Sequence, residues 1–446
     1  MSLLPCLDII NPMSSPTSES RLILSNEQVR SLAKQFGTPL YVVDETHLRD
    51  RIRRYKAAFE SAWPGGELTF ATKANSTAAI VQIAHQEGCL IDCASEGEFR
   101  VALMAGVPAN RCHLHGNNKK ADEIQFAMEQ GIGQIVADCF EEIETIAQIG
   151  GNTPEVILRL APGVDPKTNA KMSTGQADTK FGFNIADGSA EKAVVRCLEL
   201  GLPLGGYHCH VGSQVLDPGA QISGGEILAS FAVDMLNKHG FKANTINVGG
   251  GLGIRYTDAD NPMEVEEFCQ AIADNVRKAL EGSGITPRLV QEPGRSIIGE
   301  SGVTIYTVGV VKTVPTSETS TRTYVAVDGG LSDNPRPAFY GSKYTVLHHP
   351  AEDRARAAND VFTVSGKHCE TDKLFPDINL PGDVQKGDFL QVLCTGAYNS
   401  SMASNYNRYR RPETVLIQSN GTAVIIQRKE SWEELLAREV LPGTNS

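Results

Sequence analysis

A repeat of short apolar runs, each followed by an amphipathic segment, constrains this chain more than any other feature. The segments after the early runs carry apolar residues at the i, i+3, i+4 spacing of helices that bury one face. Eight runs over about 220 residues match the size and pattern of a (β/α)8 barrel. The runs are residues 68–72, 90–93, 111–115, 134–138, 156–160, 206–211, 245–248 and 288–291.

The rival architecture is a doubly wound open sheet. That fold predicts a glycine-rich phosphate loop after its first strand. Here the first run is followed by Lys73-Ala74-Asn75 instead. The pattern therefore favours the barrel.

After Arg295 the chain changes to strand-like runs separated by turns, and Asn420-Gly421 predicts a β-hairpin. We expect an α/β plus β protein, with an N-terminal (β/α)8 TIM-like barrel and a C-terminal all-β domain. The predicted domains are a tail and N-terminal segment over 1–37 that contributes to the β domain, the barrel over 38–300, and the β domain over 301–446. A strand near 40–43 could also belong to the β domain.

Composition excludes several classes of protein. The chain has 41 Lys plus Arg and 53 Asp plus Glu, so its net charge of −12 gives no global basic footprint for nucleic acid. No apolar run approaches the ~20 residues of a membrane span. Its ten cysteines lack CxxC pairing, which predicts reduced thiols in a cytoplasmic protein. We expect a small-molecule substrate and neither a nucleic acid nor a membrane partner.

Polar residues follow the predicted strands, at the end of a barrel where active sites lie. They are Lys73, Asp92, Ser95, His115, Asn117, Arg159, His210, Ser213, Gly249, Gly250, Gly251, Glu292, Pro293, Gly294 and Arg295. A partly desolvated lysine at this position can act as an amine nucleophile. Taken alone, Lys73 would more simply be a surface lysine at the end of a strand.

The loops after the last two strands indicate an anion site. Barrels commonly bind phosphate there, and consecutive glycines let backbone N–H groups approach an anion. A lysine plus a phosphate site fits either a Schiff-base aldolase or a pyridoxal-phosphate enzyme. Glu292 favours the second, because a carboxylate facing the pyridine nitrogen would keep that nitrogen protonated.

Two His-x-His pairs offer a different interpretation. His113 with His115, and His208 with His210, alternate along strands, so each pair could hold a metal ion. A barrel hydrolase would also need a bridging lysine or carboxylate and an aspartate at a late strand end. The last strand is followed by Glu292 instead, and we predict no metal.

Motifs along nearly the whole chain, from about residue 38 to about 425, resemble the fold type III pyridoxal-phosphate decarboxylases. They are residues 70–75, 115–119, 210–214, 249–253, 292–295 and 369–372. Residues 115–119, 336–340 and 397–407 are most similar to the diaminopimelate decarboxylase family. The chain departs from the pattern at Lys367-His368, where many members have proline and a small or apolar residue.

The resemblance implies a role for each site residue. Lys73 would bind the cofactor, pyridoxal 5'-phosphate, covalently, Glu292 would pair with its ring nitrogen, and His210 would stack on the ring. The other cofactor-binding residues would be Asp92, Ser213, Gly249, Gly250, Gly251, Pro293, Gly294, Arg295 and Tyr398.

It also implies how substrate is held. Arg295, Arg336 and Tyr340, with Tyr398 nearby, would bind a distal carboxylate, and Glu370 a distal ammonium. Cys369 would return a proton to Cα after CO2 leaves, a task suited to a weak acid. In this family the segment with Cys369 and Glu370 reaches the partner subunit's barrel, which implies a homodimer with shared active sites.

The implied reaction is decarboxylation of meso-2,6-diaminopimelate to L-lysine and CO2, the last step of lysine biosynthesis. The alternatives are a decarboxylase of another basic amino acid, an amino-acid racemase, and a non-catalytic regulatory homologue. Arg336 with Glu370 suits a distal group that bears both charges. A racemase would need an acid–base residue in place of Cys369, and a regulator would need neither Lys73 nor Cys369.

Overall fold

The computed structural model describes residues 21–164, 179–371 and 373–442. Residues 1–20 of the predicted N-terminal segment therefore lie outside the described residues. The chain divides into two compact units. One takes the described residues up to Leu48, the segment Arg255–Ala259 and the chain from Gly299 onward, and the other takes Arg49–Ile254 and Asp260–Ile298.

The elements are numbered in chain order. The strands are β1 (Leu40–Asp44), β2 (Glu67–Ala71), β3 (Leu90–Cys93), β4 (Cys112–Leu114), β5 (Gln134–Ala137), β6 (Glu155–Ala161), β7 (Phe183–Asn184), β8 (Leu204–His208), β9 (Thr245–Asn247), β10 (Arg288–Gln291), β11 (Gly302–Pro315), β12 (Thr321–Val327), β13 (Val346–His349), β14 (Asn359–Ser365), β15 (Phe375–Pro381), β16 (Phe389–Val392), β17 (Glu413–Ile417) and β18 (Ala423–Gln427). The helices are α1 (Asn26–Phe36), α2 (Glu45–Ala62), α3 (Ala78–Gln86), α4 (Glu96–Met104), α5 (Ala121–Glu129), α6 (Phe140–Ile149), α7 (Ser189–Glu199), α8 (Gly219–His239), α9 (Val265–Ala279), α10 (Arg295–Ile298), α11 (Arg336–Tyr340) and α12 (Trp432–Leu436). Among the described residues, no helix is both long enough and apolar enough to cross a membrane.

The unit that contains Lys73 is a closed parallel barrel, which confirms the predicted fold class. Its strands pair in the order β2-β3-β4-β5-β6-β8-β9-β10, β10 pairs back to β2, and the short β7 adds to β6. Ile91, Ile135, Leu158, Ile246 and Leu289 on these strands are fully buried. Parallel strands that are buried on both faces consist of continuous apolar residues. The barrel strands could therefore be predicted from the sequence.

Helices return the chain between the barrel strands, so all strands point the same way. In α9, Phe268, Ile272 and Val276 are buried, whereas the neighbouring Glu266 and Glu267 are not. The strand ends that carry polar residues consequently lie together at one end of the barrel.

The other unit is a β-sheet of the order β15-β14-β12-β11-β1-β17-β18, with β16 on β11 and β13 on β16. Strand β1 pairs antiparallel with β11 and parallel with β17. The strand considered near 40–43 therefore belongs to the β unit, and the barrel unit begins at Arg49 rather than at the predicted residue 38. The predicted hairpin at Asn420-Gly421 is confirmed between β17 and β18.

Candidate active site

Lys73 lies immediately after β2, in a short helical turn over Thr72–Ala74. Its side chain is 40% exposed and its Nζ atom lies 3.7 Å from Oδ2 of the buried Asp92. Parallel pairing of β2 with β3 sets Ala71 opposite Asp92, which brings the two side chains to one place. The amine is thus open to a small molecule and lies beside a carboxylate that can hold it.

Glu292 follows β10 and is buried among nitrogen atoms. Its Oε1 accepts a hydrogen bond from Asn247 Nδ2 at 2.7 Å and lies 3.2 Å from His115 Nε2. Its Oε2 lies 3.0 Å from His208 Nε2. Burial raises the pKa of this carboxyl, but His115 and His208 outweigh burial and lower the pKa well below its usual value. Glu292 is therefore an anion at neutral pH.

His210 follows β8 and its imidazole is neutral. Burial lowers its pKa well below the usual value, and the nearby cations Lys73 and Arg159 lower it further. Its Nδ1 accepts the backbone N–H of Gly250 at 3.3 Å, so the ring is oriented by the glycine loop.

The glycine loop after β9 has no room for side chains. A Cβ on Gly249 would lie 2.4 Å from the carbonyl oxygen of Cys209, and one on Gly251 would lie 2.2 Å from that of Gly212. Gly249 and Gly251 also have φ values of 67° and 116°, which favour glycine. The sequence therefore keeps backbone exposed here, in the place where a phosphate would sit.

The loop after β10 completes this end of the barrel. Arg295 is 5% exposed and its Nη2 donates to Ser213 Oγ at 2.9 Å. The carbonyl oxygen of Pro293 accepts the backbone N–H of Ala71 at 3.2 Å, which ties this loop to β2. A Cβ on Gly294 would lie 3.0 Å from that of Ala74. Contacts thus bring together Lys73, Asp92, His115, His210, Ser213, the glycine loop and residues 292–295 at one end of the unit.

In the β unit, Arg336 begins α11 and is only 2% exposed. Its guanidinium carbon lies 5.3, 5.5 and 5.8 Å from the ring centroids of Tyr256, Tyr340 and Tyr398. Its Nη2 donates to Ser342 Oγ at 3.1 Å. The structure thus brings together Arg336, Tyr340 and Tyr398, all predicted substrate residues, and adds Tyr256.

Cys369 and Glu370 lie on an exposed part of the same unit. The backbone N–H of Cys369 donates to Asn407 Oδ1 at 3.0 Å, and the Tyr406 hydroxyl donates to the Glu370 carboxylate. Asn407 therefore holds the backbone at Cys369, whereas Tyr406 holds the side-chain carboxylate of Glu370.

Sequence reasoning missed the roles of Asn247 and His208 at Glu292. The register pairs His208 with Asn247 on adjacent strands, and a polar side chain within each apolar run was the available signal. The side chains of His113, His115 and Glu292 also offer ligand atoms within 4.8 Å of one another, as a metal site would. This cluster comes from the predicted His113-x-His115 pair.

Comparison with known proteins identifies the family. Residues 46–299 match the family model described as "Pyridoxal-dependent decarboxylase, pyridoxal binding domain". The chain is 41% identical to a diaminopimelate decarboxylase of Bacillus subtilis over 91% of its own length and 92% of that protein. The chain belongs to the diaminopimelate decarboxylase family.

Other members of this family support the assignment over the same extent. A diaminopimelate decarboxylase of Staphylococcus aureus is 38% identical over 94% of this chain and 97% of its own. The solved structure of a diaminopimelate decarboxylase from "m. jannaschii", in co-complex with L-lysine, is 32% identical with a TM-score of 0.85; the match covers 95% of this chain and 97% of that chain. Both domains are therefore shared with the family.

The residues at the barrel end fit pyridoxal 5'-phosphate, the cofactor of this family. An amine at Lys73, an anionic carboxylate at Glu292 and a neutral ring at His210 match its aldehyde carbon, ring nitrogen and ring face. The glycine loop and Arg295 match its phosphate.

Proposed function

We propose that this chain decarboxylates meso-2,6-diaminopimelate to L-lysine and CO2, the last step of lysine biosynthesis. The observation that carries the proposal is the barrel end, where Lys73, an ionised Glu292 and a neutral His210 surround a side-chain-free glycine loop. The diaminopimelate decarboxylases to which the chain is similar, one with L-lysine bound, support the choice of substrate.

When bound, pyridoxal phosphate would supply an electron sink for the electron pair that the departing CO2 leaves at Cα. Lys73 would hold the cofactor covalently, and Asp92, whose Oδ2 lies 3.7 Å from the Lys73 amine, would help to position that amine. Glu292, anionic because nitrogen donors surround it, keeps the ring nitrogen protonated. Ser213, Arg295 and the backbone N–H groups of the glycine loop bind the phosphate.

Cys369 delivers the proton that Cα needs after CO2 leaves. It is an exposed thiol whose backbone is fixed by Asn407, so its Sγ atom can reach a ligand presented to it. A proton donor must come within hydrogen-bond reach of the atom it protonates.

The distal end of the substrate bears a carboxylate and an ammonium. Arg336 supplies a buried guanidinium, held between tyrosine rings, which can bind a carboxylate bidentately. Tyr340, Tyr398 and Arg295 add to this carboxylate site, and Glu370 pairs with the ammonium. This combination favours diaminopimelate over a substrate with only a positive distal charge.

The protein acts as a homodimer in which each active site combines residues of two chains. Lys73 comes from one barrel, and Cys369 and Glu370 come from the partner's β unit. The exposure of Cys369 and Glu370 in a single chain supports this arrangement. The cytoplasmic location stays a prediction.

The test is to incubate the purified protein with pyridoxal phosphate and meso-diaminopimelate and to measure L-lysine and CO2. L-lysine, L-ornithine and L-arginine serve as competing substrates in parallel reactions. We expect turnover of diaminopimelate and at most traces with the others. Faster turnover of one of the others would assign that substrate instead, and cofactor binding without any turnover would favour the regulatory alternative.

A further inference from the structure

The two His-x-His pairs each contribute one imidazole to the same carboxylate. His115 follows β4 and its Nε2 lies 3.2 Å from Glu292 Oε1. His208 ends β8 and its Nε2 lies 3.0 Å from Glu292 Oε2. The two rings meet edge to face, with centroids 5.0 Å apart. Each carboxylate oxygen therefore has its own imidazole, and the two rings pack on each other.

Asn247 completes this group and links it to the glycine loop. Its Nδ2 donates to Glu292 Oε1 at 2.7 Å, and its Oδ1 accepts the backbone N–H of Gly249 at 2.9 Å. His115, His208, Asn247 and Glu292 are each at most 4% exposed. Groups from three other strand ends thus fix the direction of the Glu292 carboxylate.

The imidazole of His208 can serve as a neutral donor. Burial lowers its pKa to about 4, although Glu292 opposes that effect, so the ring carries one proton at neutral pH. Its Nε2 lies at hydrogen-bond distance from the carboxylate and is the atom that carries the proton. Donors to a carboxylate favour its ionised form.

We propose that His115 and His208 are positioning residues, which aim the Glu292 carboxylate at the ring nitrogen of the cofactor. The inference rests on the proposed function for its cofactor, but its first readout needs no substrate. Neither histidine touches the reacting atoms, and both act through Glu292. The alternative is that His113, His115 and Glu292 bind a metal ion, since their ligand atoms lie within 4.8 Å of one another.

The test compares His208→Leu, which removes the donor, with His208→Gln, which keeps an N–H group. Each is made in the wild-type and Glu292→Gln backgrounds. The readouts are the absorbance spectrum of the bound cofactor across pH, the Kd of the apoprotein for pyridoxal phosphate, and kcat and KM for diaminopimelate. His115→Leu and His115→Gln form a second pair, to be used if a thermal unfolding measurement shows that His208→Leu is not folded.

We expect His208→Leu to shift the cofactor spectrum in the direction of Glu292→Gln and to lower kcat at least tenfold, with KM changed less than twofold. His208→Gln should restore the spectrum and most of kcat. In the Glu292→Gln background His208→Leu should have no further effect, because the two residues act as one unit. An equal loss in both backgrounds, or an unchanged spectrum in the folded variant, would overturn the proposal.

His113→Gln is the matched control, because His113 is a buried histidine on β4, two residues before His115, and its Nδ1 has no hydrogen-bond partner among the described residues. It should leave the cofactor spectrum unchanged. Stoichiometric zinc in the purified holoenzyme, lost in both His113→Gln and His115→Gln, would overturn the proposal in favour of a metal site. If the wild type binds the cofactor and the spectra shift as expected but diaminopimelate is not consumed, the proposed function fails and the positioning role stands.

Discussion

The barrel end and the segment around Cys369 differ in how they hold their functional side chains. At the barrel end, Glu292 is 4% exposed and is contacted by His115, His208 and Asn247. In the β unit, Cys369 is exposed and is anchored through its backbone to Asn407. The chain thus buries the Glu292 carboxylate and presents the proposed proton donor at its surface, which fits the proposed two-chain active site.

The exposed segment is nevertheless supported. The ring of His368 stacks on Tyr406 with centroids 5.9 Å apart and meets Tyr409 edge to face at 5.0 Å, and its Nε2 accepts the backbone N–H of Ser332 at 3.3 Å. Lys367 places its Nζ 4.2 Å from the Tyr409 ring centroid. The departure from the family pattern at Lys367-His368 therefore adds aromatic contacts beside Cys369.

The largest effect is expected from Lys73→Ala, which removes the covalent attachment at the barrel end. The variant should lose nearly all activity and all borohydride-reducible cofactor, whereas Lys312→Ala, at an exposed lysine of β11, should keep both. Borohydride reduction of the wild type followed by peptide mapping checks the attachment site. A reduced adduct on any lysine other than Lys73 would show that Lys73 is not the attachment site.

Cys369→Ala tests the role of the exposed segment in the β unit. We expect kcat to fall by about 10²-fold or more, the usual contribution of a positioned proton donor. Cofactor affinity and thermal stability should not change, because the thiol is exposed. Cys139→Ala, at a half-buried cysteine of the barrel unit, is the control and should keep kcat. A loss of cofactor in Cys369→Ala would show that Cys369 helps to bind the cofactor, which the proposed role as proton donor does not predict.

Arg336→Ala and Glu370→Ala should weaken substrate capture while leaving the cofactor bound. Removing a partner from a desolvated charged pair costs about 2–5 kcal/mol, seen as a lower kcat/KM. Arg336→Ala should also lower the melting temperature, since its guanidinium packs between tyrosine rings. Arg428→Ala, which breaks an exposed ion pair with Glu434, is the control. Normal kcat/KM in both site variants would show that another group binds the distal end.

A smaller effect, on the pH dependence of stability, is expected from the different ionisation of two buried carboxyl groups, one in each unit. Glu292 is ionised, whereas burial raises the pKa of Asp333 to about 7 despite hydrogen bonds from the Tyr306 hydroxyl and the Gly330 backbone N–H. The folded state therefore holds the Asp333 proton more tightly than the unfolded state, whose pKa is about 3.9. Stability should fall as pH rises from about 4 to about 7 and then level off.

Asp333→Asn removes this titration. The melting temperatures of the wild type and Asp333→Asn are each measured at pH 5 and pH 8. The melting temperature of the wild type should fall more between these two pH values, because the wild type loses on the order of a few kcal/mol more stability over this range. The contributions of other titrating groups to the pH dependence of stability cancel when the two proteins are compared. Parallel slopes would mean that Asp333 is ionised when folded, like Glu292.

Much of the fold followed from local pattern. The barrel strands appear as apolar runs because both of their faces are buried, and the observed strands start and end close to the predicted ones. The assignment of β1 to the β unit depends on pairing with β11 and β17, and the assignment of Arg255–Ala259 depends on contacts such as the Thr345 N–H to the Tyr256 carbonyl. The sequence indicates a strand near 40–43 but not its partners, because long-range pairing depends on residues far along the chain.

Only those site residues that lie in a motif or directly after a strand could be predicted from the sequence. Lys73, Glu292 and the glycine loop were placed together because parallel strands end on one side. The contacts of His208 and Asn247 with Glu292 depend on strand register and on which face each side chain takes, so the sequence did not indicate them. Tyr406 and Asn407 were part of a motif, but their contacts with Glu370 and Cys369 required the folded β unit.

Subunit exchange tests directly whether each active site joins the barrel of one chain to the exposed Cys369 of its partner. Subunits of two inactive variants, Lys73→Ala and Cys369→Ala, are mixed and allowed to exchange. A heterodimer then has one doubly defective site and one intact site, so a statistical mixture should recover about a quarter of wild-type activity. Mixing Lys73→Ala with Glu292→Gln, both barrel variants, should recover none. Absence of recovery in the first mixture, with exchange verified by mass-tagged subunits, would contradict the claim and place Lys73 and Cys369 of one active site on a single chain.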